Sequence, residues 1–188
     1  MNRHAAVLIG GIRPRRGEQR QHGLVRHRGL FLVAGEACGL SECQHTASLL
    51  PDGRVLVAGG ECRYWDYEIY KPPYLTGGRP RPTGVQVSAE VLQYDSIYNV
   101  AFLPFPEDDV MVTVSKVVLI RPGAVTHHTD MDTRYIELVS QPGTGSSRDF
   151  LTPLSAKHAP RGYYMLFLLT NEGGESHAPQ IFMRDTPD

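Results

Sequence analysis

An all-β fold is what this sequence predicts: a β-sandwich over residues 68–188, with a separate β-hairpin ahead of it. Three observations lead there. From Val85 onward, short runs rich in Val, Ile, Leu and Tyr alternate with turns rich in Pro and Gly, the pattern of an antiparallel sandwich. No stretch shows the 3.6-residue apolar period of an amphipathic helix. Residues 163–169 are apolar on both parities, as a central strand covered on both faces must be.

The strand-forming runs are 85–94, 97–103, 110–120, 135–139, 163–169 and 179–183, and residues 141–147 read as a surface turn. Roughly seven strands in about 115 residues fits the size of an immunoglobulin-like sandwich. Leu119, Tyr164, Leu166 and Leu168 are its expected core. Upstream, residues 45–60 read as a hairpin around Pro51-Asp52-Gly53. Pro presets φ there and Gly accepts a positive φ. The motifs Leu8-Ile9-Gly10-Gly11, Leu32-Val33-Ala34-Gly35 and Leu56-Val57-Ala58-Gly59 recur at a 24-residue offset, as successive hairpins would give.

The 188 residues carry a net charge of −1, which hides an asymmetry. Residues 1–42 hold seven Arg and three Glu (+4), leaving 12 basic and 17 acidic residues (−5) for the rest. Gly17, Gly23 and Gly29 interrupt the Arg-rich start and no aromatic residues interleave for base stacking, so a nucleic-acid arm is not predicted. It reads as an irregular, divergent N-terminal segment. No apolar run approaches the ~20 residues of a membrane span, and no signal-peptide pattern is visible. Cys38, Cys43 and Cys62 lack metal-ligand spacing and leave room for one disulfide. Phosphate-binding Gly-rich loops and nucleophile elbows are missing as well.

The candidate chemistry lies where an apolar run ends at Leu119-Ile120-Arg121-Pro122-Gly123 and continues as Ala124-Val125-Thr126-His127-His128-Thr129-Asp130-Met131-Asp132-Thr133-Arg134. Imidazole and carboxylate groups on a loop at a strand end are the material of a metal or proton-transfer site. His128, Asp130 and Asp132 alternate, which would suit a mixed-ligand cation; the plainer reading is an exposed Asp132–Arg134 pair.

This loop, preceded by Glu68-x-Tyr70-x-Pro72-Pro73-Tyr74-Leu75 and followed by Pro160-x-Gly162-Tyr163-Tyr164-Met165-Leu166-Phe167, resembles the C-terminal domain of the galactose oxidase and glyoxal oxidase family of copper radical oxidases. The resemblance covers residues 43–184. It implies an immunoglobulin-like early-set sandwich over residues 68–188, capping a Kelch-type propeller of which residues 43–67 would be a partial blade. It also implies copper, with His127 as an equatorial ligand because Gly123-Ala124-Val125-Thr126-His127 matches the family's pattern. His45, just before the Leu-Leu-Pro-Asp-Gly-Arg hairpin, is the second ligand candidate; an ordinary structural histidine of a Kelch hairpin is the equal alternative.

Two departures matter. Gln44 stands where the family has an axial tyrosine, and no segment matches the crosslinked Cys–Tyr pair that stores an oxidising equivalent. No catalytic or organic-cofactor residues are therefore assigned within this chain, and any copper site is expected to be weak. The implied activity is oxidation of a primary alcohol or aldehyde by O₂ to give H₂O₂, with a carbohydrate or small alcohol or aldehyde met through the propeller. The rival reading is a non-catalytic sandwich for carbohydrate binding or interdomain packing. The family further implies an extracellular setting.

Overall fold

The computed structural model describes residues 6–7, 25–27, 30–32, 45–59, 67–76, 78–105, 112–126, 129–176 and 178–184. The chain divides into two compact units, Met1–Ser48 with Leu56–Tyr70, and Leu49–Val55 with Lys71–Asp188. Strands β1 (Ala6–Val7), β2 (Val25–His27) and β3 (Leu30–Leu32) form a small sheet in the order β1-β3-β2. β4 (His45–Leu49), β5 (Val55–Gly59) and β6 (Tyr67–Tyr70) form a second, in sequence order. The β4–β5 turn falls on Pro51-Asp52-Gly53 as predicted, with Gly53 at φ 83° and its amide donating to the Leu50 carbonyl.

One helical turn, α1 (Pro73–Thr76), departs from the all-strand expectation. The sandwich follows: β7 (Gln86–Val87), β8 (Val91–Gln93), β9 (Ile97–Ala101), β10 (Val114–Arg121), β11 (Val125–Thr126), β12 (Thr129–Asp130), β13 (Arg134–Pro142), β14 (Ser147–Leu151), β15 (Gly162–Thr170) and β16 (Gln180–Arg184). Eight of these hydrogen-bond in the order β7-β9-β14-β13-β10-β15-β16-β8.

Strand β13 turns that order into two layers. Its first half pairs with β10 (Leu138 opposite Val117) and its second half with β14 (Val139 opposite Leu151). Side chains from opposite ends of the order then meet in one core. Leu92 of β8, Val100 of β9, Phe150 of β14, Leu119 of β10, Leu166 of β15 and Met183 of β16 all belong to it. Only a sheet folded over on itself brings β8 and β9 together, which is the sandwich predicted.

β10 and β15 are central and antiparallel, with Leu119 opposite Leu166. Leu119, Tyr164, Leu166 and Leu168 have no exposed surface. The other parity of the same strands, Val118, Met165 and Phe167, forms a second buried cluster with Ala178, against which Leu49 packs. Residues 164–168 are therefore covered on both faces, whereas Tyr163, at the start of the predicted run, is 64% exposed.

The pairing corrects two expectations. The run 85–94 is two strands, β7 and β8, at opposite ends of the order. Residues 88–90 carry the chain from one layer to the other, so a locally continuous pattern is cut by tertiary pairing. The second is β14, which has no counterpart among the predicted runs. Of its five residues only Phe150 is fully buried, and Arg148 donates inward to the carbonyls of Val114 (2.5 Å) and Ser140 (3.4 Å).

Candidate functional site

β10 and β13 pair up to Arg121 opposite Arg134, so residues 122–133 form the connection between two neighbouring strands. Within it β11 and β12 pair antiparallel, Val125 opposite Asp130 and Thr126 opposite Thr129, and the Met131 amide donates to the Ala124 carbonyl at 3.1 Å. The sequence-predicted ligand His127 falls between these two strands in sequence and, with His128, lies outside the described residues. The side chain of Asp130 does too.

What is described is the base of this connection, and Arg121 organises it. Its Nη2 is 3.2 Å from Asp132 Oδ2, and Nη1 donates to the carbonyls of Pro160 (3.4 Å) and Arg161 (3.3 Å). The guanidinium carbon stands 5.9 Å from the centroid of the Tyr164 ring, a cation–π distance. The ion pair of Asp132 is thus with Arg121, eleven residues upstream, where the sequence had suggested Arg134.

The downstream motif Pro160-x-Gly162-Tyr163-Tyr164 arrives at the same place because β15 pairs with β10. Each residue has a local reason. Gly162 takes φ 137°, a region essentially closed to side-chain-bearing residues, and lies under the Arg121 guanidinium. The Tyr164 hydroxyl donates to the Pro160 carbonyl at 2.8 Å, and the buried Tyr94 hydroxyl donates to the Ala159 carbonyl at 2.6 Å. Two tyrosines and one arginine therefore hold three successive carbonyls, at Ala159, Pro160 and Arg161. Sequence reading missed Arg121 and Tyr94; an Arg at the end of an apolar strand, just before a Pro-Gly, was the available signal.

The upstream motif sits elsewhere. The Tyr74 hydroxyl donates to the Gly53 carbonyl at 2.8 Å, and Glu175, which packs under Gly53, is bridged to Leu169 at the far end of β15 from Gly162. Burial, opposed by Arg81 and reinforced by Asp52, pushes the Glu175 carboxyl up to about 7. His45, the second ligand candidate, opens β4 in the first unit, and its side chain is outside the described residues.

Among the described residues no group of three or more His, Cys, Asp or Glu side chains converges in a way that would hold a metal ion. The described donors do not by themselves make a copper centre, so no step through copper is derived. Elsewhere at this end of the sandwich, the Tyr135 hydroxyl is raised by burial and by the neighbouring charge of Glu137.

Comparison with known proteins places this architecture. The family profile described as galactose oxidase-like, early set domain, matches residues 79–183. A galactose oxidase from Gibberella zeae is 31% identical over 148 residues, covering 73% of this chain and 21% of that protein. The aldehyde oxidase GLOX1 of Arabidopsis thaliana is 28% identical over 145 residues, covering 66% of this chain and 23% of its own length. Among solved structures, a fungal alcohol oxidase of the AA5 family in complex with copper superposes with a TM-score of 0.61 at 25% identity, covering 74% of this chain and 30% of that one. The chain thus spans about a quarter or less of the length of these curated relatives. With the profile matching more than half of its residues and the sandwich built as described, the chain belongs to the galactose oxidase-like early set domain family.

Proposed function

We propose that this chain is the C-terminal portion of a copper oxidoreductase like galactose oxidase and glyoxal oxidase. In that reading residues 43–67 are a piece of the last propeller blade and His127 is presented to copper from the connection between β10 and β13. The observation that carries it is the early-set match over residues 79–183, in a sandwich whose Arg121 anchors that connection at both ends. The parent reaction would move two electrons and two protons from a primary alcohol or an aldehyde hydrate to O₂, giving the aldehyde or acid and H₂O₂. Bound copper would supply the one-electron steps. This chain's own part would be to hold the base of the loop through Arg121, Asp132 and Tyr164, and to offer an imidazole from His127, with His45 as a second.

Gln44 in place of an axial tyrosine, and the lack of a matching Cys–Tyr pair, make the isolated chain inactive in this reading. The same Gln44 favours the second reading, a non-catalytic sandwich that binds carbohydrate or packs between domains.

One experiment separates the two. Cu(II) is titrated calorimetrically into the protein, into His127→Ala, and into His158→Ala as a control on an exposed turn near Ser155. A ligand role predicts about tenfold or more weaker binding (about 1.4 kcal/mol) for His127→Ala alone. It also predicts affinity that declines as pH drops through ~6.5, where imidazoles take up protons. Equal losses, or none, would favour the non-catalytic module.

A further inference from the structure

Three groups from elsewhere in the same compact unit donate hydrogen bonds to the turn Pro51-Asp52-Gly53. The Tyr74 hydroxyl donates to the Gly53 carbonyl at 2.8 Å and the Ala178 amide to the Pro51 carbonyl at 2.8 Å. Arg81 donates through Nη2 to the Asp52 carbonyl at 2.9 Å and through Nε to the Glu175 carbonyl at 2.6 Å. Against Gly53 lies the side chain of Glu175: a Cβ built on Gly53 would stand 1.7 Å from Glu175 Oε1. That oxygen is buried and has no hydrogen-bond partner among the described residues.

The backbone of Glu175 is held by three contacts. It is bridged to Leu169, its carbonyl is held by Arg81, and the next amide, Ser176, donates to the Leu168 carbonyl at 2.9 Å. A neutral carboxyl tolerates one dry oxygen, whereas an ionised one left without donors is costly to bury. With its main chain held and Oε1 packed against Gly53, a charge on the carboxyl bears directly on the turn.

We propose that Glu175 is a proton-controlled latch for this turn: with its carboxyl neutral the Pro51–Asp52–Gly53 turn seats on the sandwich, and ionisation loosens it. The surrounding charges set the balance. Asp52 raises the Glu175 carboxyl, though its carboxylate is engaged by the Arg54 amide (3.0 Å) and Nε (2.6 Å). Arg81 favours the ionised form, but burial outweighs it. The Tyr74 hydroxyl donates to the turn, Arg79 lies beside Gly173, and His177 lies outside the described residues. In the loosened state the carboxyl returns to water and to its ordinary value near 4.5, against about 7 when seated. Seating therefore retains a proton that the loosened state gives up between these values. It is strongest below about pH 4.5, weakens as pH rises to about 7, and is level above that. This inference does not depend on the roles given to His127 or His45.

Amide hydrogen exchange of Ala178 in the full chain, corrected for the intrinsic pH dependence of exchange, reads the latch directly. Its protection should fall about tenfold or more between pH 5 and pH 8, and in Glu175→Gln it should stay high and flat. The same pH slope in Glu175→Gln overturns the proposal. A ¹³C titration of the Glu175 carboxyl in the unmodified protein decides the case even where the variant does not fold. A midpoint near 7 supports the latch, and one near the ordinary 4.5 overturns it.

Discussion

Arg121 and Asp132 face each other at 3.2 Å across the mouth of the connection between β10 and β13. One residue ends the outgoing strand and the other stands two residues before the returning strand begins, so their pair ties the two ends of the His127-bearing loop. The arginine is the better-covered partner, with 19% of its side chain exposed against 41% for Asp132. It also carries the contacts to Pro160, Arg161 and Tyr164.

That asymmetry makes two substitutions unequal. Asp132→Asn removes one half-exposed ion pair and should cost under ~1 kcal/mol. Arg121→Ala strips donors from the carbonyls and packing from Tyr164, and should cost about 1–3 kcal/mol. Exchange of the Met131 amide, whose bond to Ala124 closes the loop, should quicken much more in Arg121→Ala. Equal effects in urea unfolding and in exchange would contradict the anchoring role.

Leu166 tests the sandwich core. It has no exposed surface and faces Leu119 across the two central strands. Leu166→Ala should cost ~2–5 kcal/mol through lost burial and a residual cavity. Val139→Ala, on a strand of the same fold but 75% exposed, should stay within about 0.5 kcal/mol. Urea denaturation of both gives the contrast, and similar midpoints would place Leu166 outside the core.

Tyr94 and Tyr164 each donate to a carbonyl of the segment entering β15. Replacing either by Phe keeps the ring and removes the hydroxyl, at a cost of about 0.5–1.5 kcal/mol. Tyr94→Phe should be the more damaging, because its bond is buried and the Ala159 carbonyl is left dry. Thermal unfolding of the two variants ranks them; the reverse order would mean that the Pro160 carbonyl matters more.

Gly53→Ala combines two penalties. The backbone is at φ 83° and the new methyl would collide with Glu175 Oε1. Strain at a positive φ costs of order 1–3 kcal/mol, and displacing Glu175 adds to it. The variant should unfold at clearly lower urea than wild type, while Gly78→Ala, also at positive φ (64°) but with open space around it, pays only the first penalty. Equal losses would show that the Glu175 contact is immaterial.

The fold class and the centre of the sandwich were legible because apolar period is a local property. Leu119, Tyr164, Leu166 and Leu168 sit in long Val- and Leu-rich runs, and a central position in the sheet buries both parities of residues 164–168. The Pro51-Asp52-Gly53 turn was equally legible, since φ preference belongs to the residue itself. β14 was not. Ser-Arg-Asp-Phe-Leu has one core residue, and its Arg148 points inward only because two carbonyls from β10 and β13 are there to receive it.

Which residues meet was decided by pairing across the fold. A continuous run at 85–94 became the two extremes of the strand order, because β7 found β9 and β8 found β16. Arg121 chose Asp132, and the resemblance motifs parted, one joining the base of the His127 loop and the other the hairpin turn. Glu175 shows the difference most plainly. In sequence it belongs to the polar stretch Asn171-Glu172-Gly173-Gly174-Glu175-Ser176, to which the sequence assigned no role. Only strand pairing at Leu169 and a turn from more than a hundred residues upstream pack against it, and burial then raises its carboxyl to about 7. Local chemistry determines which conformations a segment prefers, whereas desolvation depends on what the rest of the chain lays on top.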